Sequence, residues 1–145
     1  MILIFRYLVN DIFNEVGSRL NRYYKICCQY EIVGAMISND DWGFNTQTML
    51  SVSDMRKYVF PQHKKIVNTI HDSGKPAILH SCGNLEEVML DVIEEMNYEA
   101  KHSFEDNILP VEESYEKWGS MIAILGGIDM DFICRSDPEV VKKRS

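Results

Sequence analysis

The sequence predicts an α/β fold built around a parallel sheet, on the strength of three observations. Four short apolar segments have the length and composition of buried strands, at residues 32–37, 76–81, 98–103 and 121–125. Segments with helical periodicity separate them, which is the order of elements in right-handed β-α-β units. Each apolar segment is followed by polar or reactive side chains, as at the carboxyl ends of strands in such folds. This pattern alone leaves both a doubly wound sheet and a β/α barrel open.

Two helices are predicted in the first half of the chain, one on each side of the first strand. Residues 10–30 place apolar side chains at helical spacing. After the first strand and a polar loop, a second helix is predicted over residues 53–71, with Gly74 beyond its end. Pro61 lies inside this helix and has no backbone donor, so we expect a kink there or two shorter helices meeting.

The clearest helix of the chain follows the second predicted strand. Its apolar residues recur at i, i+3, i+4, i+7, i+8 and i+11 over residues 85–96, and Asn84 is placed to cap it. Glu87 stands where a capping box would require it. Residues 110–118 predict a short helix with proline in its first turn, and residues 136–139 predict the start of another. This last helix has room for only about two turns at ~3.6 residues per turn, so we expect the chain to end inside a larger fold.

Composition and charge exclude several classes of function. The chain has 145 residues, of which 15 are basic and 22 are acidic, for a net charge of −7. This balance argues against a surface for nucleic acid or for anionic membranes. The apolar opening, residues 1–9, is interrupted by Arg6 and lacks the cleavage site of a signal peptide. Four cysteines in apolar surroundings fit a reducing cytoplasm, and no glycine pattern of a nucleotide-binding loop is present.

Two soft metal ligands stand at the end of the second predicted strand. His80 and Cys82 are separated by one residue, and residues i and i+2 of a strand point to the same side. Imidazole and thiolate are a pair that zinc favours. Two ligands do not complete a site, however, and a buried cysteine often serves only as a small hydrophobic residue. From this spacing, zinc binding is one hypothesis and packing at the strand end is the other.

Three further polar residues are candidates for catalysis. Asp41 and Glu105 follow the first and third predicted strands, and His102 lies at the end of the third. Ligands bind at the carboxyl ends of strands in parallel α/β folds, so we expect one site shared by these strand ends. A simpler role is open for each, because Asp41 can cap a turn, His102 can be a hydrogen-bonded core residue and Glu105 can be a solvated loop charge. His63 and His71 fall on a helix away from the strand ends, and we assign them no chemistry.

Four segments, in this order along the chain, carry a specific resemblance to a known superfamily. They are Asp40-Asp-Trp-Gly-Phe-Asn-Thr-Gln, Ile78-Leu-His-Ser-Cys-Gly-Asn, Lys101-His-Ser-Phe-Glu-Asp-Asn and Leu125-Gly-Gly-Ile-Asp. From about residue 8 to the end, the chain resembles the uroporphyrinogen decarboxylase superfamily. The resemblance implies a (β/α)8 TIM barrel of more than twice this length, of which the chain matches about strands four to seven. Residues 1–145 are then one partial barrel domain.

The superfamily implies two main chemistries. One is decarboxylation of the acetate side chains of uroporphyrinogen III in porphyrin biosynthesis, without a cofactor. The other is zinc-dependent methyl transfer from a corrinoid to a thiol. The pair His80 and Cys82 resembles the zinc motif of the methyltransferase branch, so the resemblance implies zinc as cofactor, a corrinoid as methyl donor and a small thiol as substrate. The third zinc ligand of that branch, a cysteine, falls beyond the last residue, and Cys134 is not at the matching position.

Decarboxylation of a tetrapyrrole is the second interpretation. Asp41 stands where the decarboxylases place a substrate-contacting serine, and an acidic mouth would repel the carboxylates of a porphyrinogen. A third interpretation is a half-barrel that has no activity alone. Four parallel strands leave two open sheet edges, so we expect an oligomer or a completing partner chain. The resemblance to the methyltransferase branch implies a corrinoid protein as a further partner.

Overall fold

A four-stranded parallel sheet organises the computed structural model, which describes residues 6–144. The strands are β1 (Met36–Asn39), β2 (Ala77–His80), β3 (Ala100–His102) and β4 (Ala123–Leu125), and they pair in that order. Every neighbouring pair is parallel. The predicted α/β class is therefore confirmed, and the succession of parallel strands is consistent with part of a β/α barrel. The assignment to barrel strands four to seven stays a prediction.

Six helical elements accompany the sheet. They are α1 (Arg6–Cys27), α2 (residues 52–71), α3 (residues 86–95), α4 (Val111–Trp118), α5 (Met130–Arg135) and α6 (Pro138–Arg144). Within residues 6–144, none of the helices combines the length and the apolar character that a membrane crossing requires.

The first strand begins later than its apolar run. The prediction of residues 32–37 is wrong at both ends, since β1 covers Met36–Asn39 and Ile32 is 94% exposed. Pairing with β2 sets the start of β1, because the N–H of Met36 donates to the carbonyl of Pro76 at 3.1 Å. The apolar run predicts that a strand is present here, but its first and last residues depend on pairing with β2.

Helix α2 changes its pitch just before Pro61. It consists of a short turn at Val52–Asp54, a π-helical segment at Met55–Val59 and a regular helix at Phe60–His71. The N–H of Phe60 donates to the carbonyl of Met55, five residues earlier, in place of the usual four. The helix type thus changes one residue before Pro61, where a kink or the meeting of two shorter helices was predicted, and the helical stretch itself is continuous.

Helix α3 keeps its predicted buried face but not its predicted capping box. Of the apolar positions at helical spacing, Leu85, Val88, Met89, Val92 and Met96 are buried. The side chain of Asn84 accepts from the N–H of Glu86 at 3.0 Å, whereas its own N–H donates to the carbonyl of Phe44 at 2.7 Å. Since that N–H is already satisfied, Glu87 is not needed for a capping box. The element is a 3-10 turn at Glu86–Val88 followed by a π-helical segment at Asp91–Glu95.

The core lies between one face of the sheet and helices α2 and α3. Along β2 and the two residues after it the burial alternates, so that Ala77, Leu79 and Ser81 are fully buried while His80 and Cys82 are half-buried. Leu79 packs in one cluster with residues of both helices, such as Val67 and Val88. The side chains of His80 and Cys82 therefore leave the core and reach the opposite face of the sheet.

Both edges of the described sheet are open, and we expect the purified protein to associate. In residues 6–144, β1 pairs only with β2 and β4 only with β3. Unpaired N–H and C=O groups on an edge strand favour pairing with another chain. Sedimentation velocity over a range of protein concentrations should reveal species larger than the monomer. A single monomeric species at all concentrations would contradict this prediction.

Candidate metal centre

Three potential metal ligands meet where β1 and β2 end. The ligand atoms of Asp41, His80 and Cys82 all lie within 4.8 Å of one another. The Nε2 atom of His80 is 3.8 Å from the sulfur of Cys82, and Oδ1 of Asp41 accepts from the N–H of Cys82 at 3.4 Å. The sequence-predicted pair thus gains a carboxylate from the neighbouring loop. Nitrogen, sulfur and oxygen donors of these types are those that bind zinc, and three protein ligands leave a fourth position open for a substrate.

A close contact between two glycines brings the β1 and β2 loops together. Gly83 has a φ of +82°, and a Cβ built on it would lie only 2.2 Å from the carbonyl carbon and oxygen of Gly43. The N–H of Trp42 also donates to the hydroxyl of buried Ser81 at 3.0 Å. These two contacts place Asp41 beside Cys82.

Substituting Gly83 with alanine should lower the free energy of unfolding by about 2–4 kcal/mol, since a left-handed backbone and a steric overlap both oppose a methyl group. Gly34→Ala is the matched control, because a Cβ at Gly34 meets nothing within 4 Å. Urea denaturation of both variants measures the difference. Equal stability of the two variants would show that the contact between the β1 and β2 loops is not tight.

His80 and His102 form a stacked pair at the ends of β2 and β3. Their rings are 4.9 Å apart between centroids, and their Nδ1 atoms are 2.7 Å apart. One of the two Nδ1 atoms must therefore donate and the other accept. If Nε2 of His80 is to bind a metal, its proton belongs on Nδ1, with His102 as the acceptor. Burial, His80 and Lys101 lower the pKa of His102, which favours the neutral form that such an acceptor requires.

We expect His102→Ala to weaken zinc binding by about 10–100-fold, as is typical when a hydrogen-bond partner of a metal ligand is lost. His102→Asn is the matched control, because its amide can occupy the position of Nδ1 and accept the same hydrogen bond. Zinc dissociation constants from chelator competition would compare the two. Identical constants for His102→Ala and the unmodified protein would exclude His102 as the partner of His80.

Glu105 lies at the same strand ends but is already engaged. Its Oε1 atom accepts from the N–H of Gly83 at 2.9 Å, which ties the β3 loop to the loop of Cys82. The neighbouring Asp106 forms an ion pair with Arg144 of α6. Asp129, at the end of β4, accepts from the N–H groups of Asp106 and Asp131. The structure thus places Glu105 beside the cluster and gives Asp106 and Asp129 structural partners.

His63 contacts the end of β1, which the sequence did not reveal. It is buried, with Nδ1 at 3.1 Å from the hydroxyl of Ser38 and 2.8 Å from that of Tyr98, while Nε2 is 3.1 Å from Oδ2 of Asp40. Burial would raise the pKa of Asp40, but hydrogen bonds from His63 and Trp42 outweigh it and hold that pKa below its usual value. The placement of His63 away from the strand ends was wrong. Its helical spacing to Ile66, Val67 and Ile70 could have predicted that His63 lies on the buried face of α2.

All four cysteines are free thiols, and Cys134 is exposed on α5 and is not part of the metal cluster.

A family model described as uroporphyrinogen decarboxylase (URO-D) matches residues 9–145. Comparison with curated proteins and with solved structures found no match. The family match spans all four strands of the sheet and every residue of the metal cluster. The chain therefore belongs to the uroporphyrinogen decarboxylase family.

Proposed function

We propose that Asp41, His80 and Cys82 bind a zinc ion and that the protein serves in methyl transfer from a corrinoid to a thiol. The observation that carries this proposal is the convergence of three ligand atoms within 4.8 Å at the end of the sheet. Three protein ligands with an open fourth position are typical of catalytic zinc, whereas structural zinc has four. Asp41 is exposed and the other two are half-buried, so a small thiol can reach the site from solvent.

A bound zinc ion would hold the substrate thiol as a thiolate at neutral pH. Cys82 and Asp41 would contribute negative charge to the site and His80 a neutral donor, oriented by His102. In the proposed reaction the thiolate sulfur forms a bond to the methyl carbon, the bond from that carbon to cobalt breaks, and the electron pair stays with the corrinoid. The products are a thioether and a demethylated corrinoid, so atoms and charges balance.

Metal analysis of the purified protein and of two cysteine variants tests this proposal. We expect about one zinc ion per chain, lost in Cys82→Ala and retained in Cys134→Ala, which removes an exposed thiol outside the cluster. Zinc content unaffected by Cys82→Ala would contradict the metal site. Transfer of a methyl group from methylcobalamin to a thiol, dependent on added zinc, would then test the reaction itself.

Decarboxylation of uroporphyrinogen is the second candidate, and the name of the matching family favours it. It predicts release of carbon dioxide from uroporphyrinogen without any metal. The acidic side chains of Asp41 and Glu105 argue against it, because they would repel a polycarboxylate at this end of the sheet. The only lysine among the β2 and β3 strand ends, Lys101, points its ammonium group at backbone carbonyls. We therefore expect no carbon dioxide from this chain.

The open edges of β1 and β4 support a further part of the proposal, that another chain completes the active unit. On this view the isolated protein binds zinc through its own three ligands but transfers methyl groups slowly or not at all. Zinc binding without turnover, followed by turnover on addition of a partner, would support it. Full activity in a monomeric species would contradict it.

A further inference from the structure

Ser103 has an unusual backbone conformation directly beside the metal cluster. Its φ is +82°, and Asn97 is the only other non-glycine residue with positive φ in residues 6–144. Asparagine accepts this left-handed region more readily than other residues with a side chain, whereas serine does so at a cost in free energy. Such strain persists only where surrounding contacts enforce it, and it concentrates at functional sites.

The strained backbone brings the hydroxyl of Ser103 against the sulfur of Cys82. The Oγ atom lies 3.2 Å from Sγ, which is within hydrogen-bonding distance for sulfur. A thiolate has no proton to give, so a hydroxyl in this position must donate to it. Cysteine binds metal as a thiolate, so with a metal bound the hydrogen bond would be directed at the ligand form of Cys82.

Buried Lys101 holds Ser103 in this conformation. Its Nζ atom donates to the carbonyl of Ser103 at 2.5 Å and to that of Ser81 at 3.3 Å. Its ammonium also lies 4.2 Å from the centre of the Phe104 ring. Lys101 thus links the backbone that follows β3 to the backbone next to Cys82. With the backbone of Ser103 fixed in this way, its side chain contacts the sulfur of Cys82.

We propose that Ser103 is a positioning residue whose hydroxyl orients the Cys82 thiolate toward the metal position shared with Asp41 and His80. The inference rests on the proposed zinc site and names a residue that the ligand spacing does not reveal. Ligand sulfurs in metal sites are commonly fixed by hydrogen bonds from outside the ligand set, and these bonds tune the electron density on the sulfur. Ser103 is not itself a ligand and is not expected to contact the substrate.

Two substitutions distinguish the effect of the Ser103 hydroxyl from the effect of its backbone conformation. Ser103→Gly removes the hydroxyl and relieves the strain, so this variant should fold at least as well as the unmodified protein. Ser103→Ala removes the hydroxyl and keeps the strain. Asn97→Gly is the matched control, because it relieves a left-handed residue that precedes β3, at the end of the sheet opposite the metal ligands. We expect both Ser103 variants to bind zinc about tenfold more weakly and Asn97→Gly to bind it normally.

Cobalt substitution gives a second measurement that a purely structural role would leave unchanged. Loss of a hydrogen bond raises the electron density on the sulfur, so the sulfur-to-cobalt absorption band should move to longer wavelength in both Ser103 variants. An unchanged zinc affinity and an unchanged band in Ser103→Gly would overturn the role of Ser103 while leaving the metal site intact. Absence of metal binding by the unmodified protein would overturn the site itself, and with it this inference.

Discussion

Replacing Asp41 with asparagine should lower the affinity for zinc by at least about 100-fold, because loss of a direct ligand is expected to cost more than the 10–100-fold that loss of an outer partner costs. Asparagine has nearly the same shape as aspartate, and its side-chain oxygen can still accept from the N–H of Cys82, as Oδ1 of Asp41 does at 3.4 Å. The substitution therefore removes the negative charge while keeping the loop contact. A neutral amide oxygen is a much weaker zinc ligand than a carboxylate.

The adjacent carboxylate provides the control for this experiment. Oδ2 of Asp40 already accepts from Trp42 Nε1 at 2.9 Å and lies 3.1 Å from Nε2 of His63. We expect Asp40→Asn to bind zinc normally. Chelator competition with both variants and circular dichroism of the metal-free proteins would establish affinity and folding. Weak zinc binding by Asp40→Asn and normal zinc binding by Asp41→Asn would show that the third ligand is Asp40 and not Asp41.

The contrast between Asp41 and His80 shows what the sequence could and could not predict about this site. His80 and Cys82 were identifiable because a strand places alternate residues on one side, which is a local property. Asp41 joins them only because Gly43 and Gly83 allow two loops to touch. That contact joins residues 40 positions apart and leaves no periodic pattern. The sequence therefore predicted Asp41 as a candidate site residue but not as a metal ligand.

A similar distinction between local and long-range information applies to the fold. The buried face of α3 followed from apolar spacing, but its capping box did not form because Phe44, far away in sequence, accepts from the N–H of Asn84. The start of β1 was set by Pro76 in the same way. The conformation of Ser103 had no signal in the sequence, since serine does not mark left-handed backbone as glycine does. Its cause is the contact with Lys101, which only the folded structure brings about.

Lys101 should give the protein an unusual rise in stability with pH. It is only 4% exposed, and burial lowers its pKa to about 8, while Cys82 and Glu105 act in the opposite direction. Between about pH 8 and 10.5 the folded protein then binds fewer protons than the unfolded chain, in which the lysine keeps its ordinary pKa. Stability consequently increases with pH across this interval, by up to about 1.4 kcal/mol per pH unit. Across the whole interval the gain in unfolding free energy amounts to about 3 kcal/mol.

Lys101→Met isolates this contribution, because methionine preserves much of the apolar stem and cannot titrate. Between pH 7.5 and pH 10, the unfolding free energy of the unmodified protein should rise by about 2–3 kcal/mol relative to that of Lys101→Met, with other titrating groups cancelling in the comparison. Urea denaturation of both proteins at the two pH values measures this difference. The carbonyls of Ser81, His102 and Ser103 favour the charged ammonium and oppose the effect of burial. A constant difference between the two proteins would mean that these carbonyls fully replace the water lost by the ammonium, and that the lysine stays charged while it holds Ser103 in place.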